Sequence, residues 1–139
     1  MYLVDTNVVS EARKGVKADA GVRRFFAQAK DESWRLYLSV VTVGELRRGL
    51  ELIRYRGDEA QADGLEQWLQ LVLRDYQGHI LSLDAEIAQV WGRLRVPHPE
   101  NALDKQIAAT ALINDLTLVT RNTSDFLATG VRLINPFAQ

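Results

Sequence analysis

The chain has 139 residues, 47% of them hydrophobic and 25% charged, with a formal net charge of −1, two histidines and no cysteine. A single domain of this size buries roughly 68–70% of the surface its unfolded chain exposes and needs no covalent staples. The composition excludes disulfides, thiolate zinc sites and a cysteine nucleophile, and it fits a cytoplasmic protein: no apolar run approaches a membrane span, and Met1-Tyr2-Leu3-Val4-Asp5 does not read as a signal peptide.

Tyr2 to Val4 predicts a short buried strand, followed by a helix from Thr6 to Arg13 that stops at Gly15. Asp19 can cap a helix whose Val22, Phe25, Phe26 and Ala29 share one face. Arg35 to Ser39 reads as a second strand. Ser39 or Thr42 can cap the next helix, striped by Val43, Leu46, Leu50 and Ile53 and broken at Gly57-Asp58. Leu65, Trp68, Leu69, Val72, Leu73 and Tyr76 then follow helical spacing up to Gly78. His79 to Leu83 is a strand, and Asp84 caps a helix burying Ile87, Val90, Trp91 and Leu94. Pro97-His98-Pro99 forces a non-helical connection. Asp104 opens a helix from Lys105 to Asn114 with Ile107, Ala108, Ala111 and Leu112 on its face. Leu116–Thr120 (strand), Ser124–Ala128 (short helix) and Val131–Ile134 (strand) complete the chain. Such alternation predicts one α/β domain over residues 1–139, a central parallel β-sheet flanked by helices.

Four acids fall just after strands or near helix starts: Asp5, Glu45, Asp104 and Asp125. In an open parallel sheet the ligand site lies beyond the carboxyl ends of the strands, so acids placed there converge. Gathered carboxylates without cysteine call for a hard cation, Mg²⁺ or Mn²⁺, which can polarise a phosphoryl oxygen and activate water. Each acid also has a plain structural reading. Asp5 and Asp104 can be N-caps, Glu45 the end of a Thr42–Glu45 capping box, and Asp125 a turn acid. Asp84 has the same look as Asp104, and spacing does not separate them.

The segment Leu3-Val4-Asp5-Thr6-Asn7-Val8-Val9-Ser10-Glu11 resembles the opening of PIN-domain nucleases. Leu38 to Gly49 around Glu45, Leu103 to Ala111 around Asp104, and Leu118 to Phe126 around Asp125 continue the resemblance in order, and Val131 to Phe137 is similar to the family's closing strand and tail. The similarity is greatest to ribonuclease toxins of the VapC type, in their plasmid-stability, FitB-like branch. It implies a PIN-like fold and a Mg²⁺-dependent endoribonuclease, the toxin of a type II toxin–antitoxin pair. Asp5, Glu45 and Asp104 are then the core catalytic and metal-binding acids and Asp125 a more variable fourth. Thr6, Asn7, Thr120 and Asn122 are supporting polar neighbours, and Asp84 is only a cap. The implied partners are an RNA substrate, a VapB-like antitoxin and a second copy in a homodimer, with DNA reached only through the antitoxin. Lys105 beside Asp104 and the short, proline-rich Val96–Ala102 depart from the family pattern.

Other features have competing readings. Arg13, Lys14, Lys17, Arg23 and Arg24 form one basic stretch, and Arg47, Arg48, Arg54 and Arg56 another. Either is a phosphate-contact surface or a solvated face, since acids lie close by. Trp34, Trp68 and Trp91 are base-stacking platforms or core, and the helical stripes favour core for the last two. His79 begins a strand and His98 sits between prolines, so neither suits a general base. Two rival functions remain at this level. An aspartate-nucleophile phosphatase would use Asp5, although Asn7 stands where a second Asp is usual. The other is a non-catalytic PIN-like partner in an antitoxin–DNA complex.

Overall fold

The computed structural model describes residues 1–139. Five strands, β1 (Tyr2–Val4), β2 (Leu36–Ser39), β3 (Ile80–Leu81), β4 (Thr117–Val119) and β5 (Leu133–Ile134), pair in parallel in the order β3-β2-β1-β4-β5. Helical crossovers make every pairing parallel: α1 (Thr6–Ala12), α2 (Ala20–Asp31), α3 (Val40–Tyr55), α4 (Glu59–Asp75), α5 (Ala85–Leu94), α6 (Ala102–Ile113) and α7 (Thr123–Phe126). Neighbouring strand residues point to opposite faces, so the sheet splits the core in two. Val4, Leu38 and Val119 join Val8, Val22, Leu46 and Leu69 of α1 to α4. Leu3 and Leu118 face Ile107, Ala108 and Phe126 of α6 and α7. No helix is long and apolar enough to cross a membrane.

Element starts differ from expectation in ways that matter for the site. Helix α3 begins directly after β2, and the Ser39 hydroxyl accepts the Val41 N–H at 3.0 Å. Thr42 therefore lies inside the helix and Glu45 in its second turn, so there is no Thr42–Glu45 capping box. Helix α6 begins at Ala102, after Asn101 in the left-handed region at φ 57°, and Asp104 sits in its first turn rather than at the cap. Edge strands β3 and β5 are shorter than their apolar runs, because each has a neighbour on one side only.

Gly57, at φ +95°, ends α3, and Asp58 caps α4 by accepting the Gln61 N–H. The resulting helix pair is clamped by charge. Arg47 makes two parallel bonds to Glu66, at 2.6 and 2.8 Å, and Arg54 reaches Glu51, Glu59 and Asp63. Half of the second basic stretch is thereby neutralised, leaving Arg48 and Arg56 free of carboxylate partners. The Arg47 guanidinium, followed by Gln70, holds the Glu66 carboxyl down to about 2, so its contribution to stability is complete above the ordinary value of 4.5 and is lost as pH falls toward 2. Glu66→Gln is expected to lower the melting temperature slightly at pH 7 and to reduce the loss of stability between pH 4.5 and 2. An acid melting profile identical to wild type would rule the clamp out.

Candidate active site

Asp5 ends β1 and caps α1, almost fully buried. Its Oδ1 accepts the Thr6 N–H at 2.8 Å, and its Oδ2 accepts the Thr120 hydroxyl at 2.8 Å and the Asn7 amide at 3.3 Å. The structural reading of Asp5 as a cap is thus correct, and both of its carboxylate oxygens accept hydrogen bonds from neighbouring residues. Thr120, fully buried at the end of β4, also accepts the Asn122 N–H at 3.1 Å. Asn7 closes the loop: its side-chain oxygen Oδ1 accepts the Arg121 N–H at 3.1 Å. Adjacent strands thus present one hydrogen-bonded unit, β1–α1 on one side and Thr120–Asn122 on the other. Asn122 enters it through its backbone rather than its side chain.

Thr6 carries the network to α3. Its hydroxyl donates to Glu45 Oε1 at 2.7 Å, and Thr42 Oγ1 lies 3.2 Å away. A hydroxyl has one proton, and the shorter bond takes it, so Thr42 donates to Thr6. The sequence alone marks Thr42 only as a cap. Its position one turn before Glu45 on the same helix face is the signal that identifies it as a neighbour of the site.

Electrostatics join the remaining acids. Burial raises the Asp5 carboxyl above its usual range against three hydrogen bonds that lower it. Burial also raises Glu45, with Thr6 opposing and the Asp5 charge adding. Asp104 is pushed up to about 6, first by burial and then by the charges of Asp5, Asp125 and Glu45. Asp125, exposed in α7, reaches the group only through this repulsion. None of the four acids pairs with a lysine, arginine or histidine. Their side chains nevertheless stand apart rather than closing into a ready-made cage of three or more metal-binding groups. Lys105 is buried and turns its ammonium away, to the His98 carbonyl of the proline-rich loop. A cavity of about 190 Å³ opens beside Thr6 and Glu45 and runs between α3 and α4 past Leu50, Leu65 and Trp68, with Arg13 on its wall.

Other candidates lie elsewhere. Asp84 caps α5 through the Ile87 N–H at 2.9 Å. His79 stacks on Tyr37 and meets the Leu36 carbonyl, while His98 is exposed beside Glu100. Trp34 packs on Tyr2 and Phe25, and Trp91 donates to the Ala102 carbonyl. In the first basic stretch only Lys14 has an acid partner, Glu11.

The PIN domain family model matches residues 2–130. The chain is 34% identical to plasmid stability protein StbB of Pseudomonas syringae pv. tomato and 33% identical to toxin FitB of Neisseria gonorrhoeae, covering 99% of both chains in each case. It is 32% identical to VapC ribonuclease Y4jK of Sinorhizobium fredii, over 99% of this chain and 98% of that one. Among solved structures, FitAcB from Neisseria gonorrhoeae superposes with a TM-score of 0.82 at 32% identity, covering 98% of each chain. FitAB bound to a DNA fragment gives 0.83 at 30% identity, covering 100% of this chain and 97% of that one.

Proposed function

This chain belongs to the PIN domain family, and we propose that it is the ribonuclease toxin of a toxin–antitoxin pair, cleaving RNA phosphodiester bonds with Mg²⁺ or Mn²⁺. The observation that carries this reading is a group of four acids without a cationic partner, in which Asp104 is repelled by the other three. Such a group is unfavourable alone and favourable around a divalent cation. The donors are all carboxylate or hydroxyl oxygens, the chemistry a hard cation selects, so the residues fit the ion. Asp5, Glu45 and Asp104 would hold it, with Asp125 contributing directly or through water. The bound cation supplies a Lewis acid for the phosphoryl oxygen and a water activated at neutral pH.

The chain's own residues set the geometry. Thr120 and Asn7 fix the Asp5 carboxylate from one side, and the Thr6 N–H fixes its other oxygen. Thr6, oriented by Thr42, fixes Glu45. Asp5 and Glu45 are thereby each held by hydrogen bonds from neighbouring residues, as preorganised ligands require. RNA as the substrate is supported by the ribonuclease among the relatives. An antitoxin partner is supported by the similar fold of a toxin–antitoxin complex from Klebsiella pneumoniae and by the apolar groove that leaves Glu45 between α3 and α4. An antitoxin arginine reaching from that groove to the acids would neutralise them in the cation's place. A homodimer, with DNA contacted through the antitoxin, completes the reading.

The test is purification without the partner, followed by cleavage of labelled RNA. Cleavage is expected with Mg²⁺ or Mn²⁺, absent in EDTA, restored when the cation returns, and stopped by the product of the neighbouring reading frame. Cleavage that persists in EDTA overturns the metal-dependent reading. No cleavage of any RNA from the native host overturns the nuclease.

A further inference from the structure

Parallel strands deliver all their carboxyl ends to one rim, so the residues after β5 arrive beside the acids that follow β1 and β4. The tail there is fixed rather than loose. The Asn135 side-chain oxygen Oδ1 accepts the Phe137 N–H at 3.0 Å, and the Asp19 carboxylate at the start of α2 accepts the Ala138 N–H at 2.9 Å. Gly21 lets the tail lie flat on α2, because a Cβ there would collide with the Pro136 carbonyl and the Phe137 backbone. Phe137 packs on the core of α1 to α4, and its ring carries the Arg121 guanidinium, 4.8 Å from the centroid.

Arg121 lies between Thr120 and Asn122, and its backbone N–H is held by Asn7, which also bonds Asp5. Its side chain is exposed, and although acids crowd this rim it pairs with none of them. An aromatic face holds a guanidinium by its plane and leaves the edge donors directed outward, where they can meet two oxygens at once. A cation so placed beside a negatively charged site does what the acids cannot: it attracts the phosphates that flank the bond being cut.

Resting on the nuclease reading above, we infer that Arg121 contacts a backbone phosphate of the RNA and that Phe137, through the docked tail, is its positioning residue. The contact is to substrate and not to the acids, so its removal is expected to raise KM more than it lowers kcat. In Arg121→Gln, KM is expected to rise about tenfold, as for loss of a charge-assisted contact, with kcat within about twofold. In RNA binding measured in EDTA, the salt dependence of this variant is expected to fall by about 0.7 in slope, one phosphate contact on a single strand. Arg121→Lys retains the slope and loses part of the affinity. Phe137→Leu raises KM several-fold and Phe137→Tyr restores it, a rescue that general loosening of the tail would not give.

The wild type in the same assays separates nuclease activity from the Arg121 contact. A wild type that neither cuts nor binds RNA removes the nuclease reading and this contact with it. A wild type that cuts, beside an Arg121→Gln with unchanged KM and salt slope, overturns the contact alone. So does an Arg121→Gln that weakens only antitoxin binding, which would assign the guanidinium to a protein carboxylate. Should Phe137→Leu fail to fold, the exposed Arg121 variants still decide.

Discussion

Asp5→Asn is expected to abolish RNA cleavage, by at least about a hundredfold, while leaving the protein folded and no less stable. The substitution changes almost no volume. The amide oxygen can still accept the Thr6 N–H, so the cap of α1 survives. On the other side an NH₂ group replaces Oδ2, and the Thr120 hydroxyl can rotate to accept from it, though the Asn7 amide then loses an acceptor. What disappears is a buried negative charge that the fold alone disfavours, since burial raises the carboxyl and the hydrogen bonds only partly offset it. The loss of activity and the unchanged or raised melting temperature are therefore coupled expectations. An unfolded variant would make Asp5 a structural residue above all. A folded variant with wild-type cleavage would remove Asp5 from the chemistry.

The strands and helices were legible in the sequence because their apolar periods are clean, as in Leu65 to Tyr76 and the pair Leu3-Val4, whose side chains go to opposite faces. Element starts were less so. Asp104 resembles a cap by its place before an apolar helix, but Asn101 in a left-handed conformation begins the turn earlier, and sequence does not announce that backbone choice. The acids themselves stood out as residue types after strands, and the ordered motifs around them pointed to the PIN domain. Their arrangement did not stand out: the Thr42–Thr6–Glu45 chain joins residues far apart in sequence, and only the fold brings them together. The same holds for charge pairing. Arg47 and Arg54 look like half of a basic patch until α4 folds back and supplies Glu66 and Asp63. The docking of Phe137 under Arg121 likewise depends on the last strand's place in the sheet order.

The metal-free protein should grow less stable as pH rises from about 4 to about 6, and divalent cation should reverse this. The sign follows from Asp104. Its carboxyl is raised to about 6 in the fold from an ordinary 3.8, so within that window the unfolded chain has released a proton the folded chain still holds. Fewer protons bound in the unfolded state means stability falls with rising pH, and the loss is complete above about 6. Glu66 has the opposite sign and a lower window, so the two do not cancel. Asp5 and Glu45, also raised by burial, add to the slope with the same sign, so Asp104→Asn should reduce it between pH 4 and 6 without removing it and leave the acid side unchanged. Cation competes with the proton for the same oxygens, so Mg²⁺ or Mn²⁺ should stabilise more at pH 7 than at pH 5. At a hundredfold excess over Kd the gain is about 2.7 kcal/mol, which for a domain of this size raises the melting temperature by on the order of 10 °C. Thermal denaturation in EDTA and in excess cation, for wild type and Asp104→Asn, reads both effects. Equal slopes in the two proteins, or cation stabilisation that survives in Asp104→Asn undiminished, would take Asp104 out of the cation site.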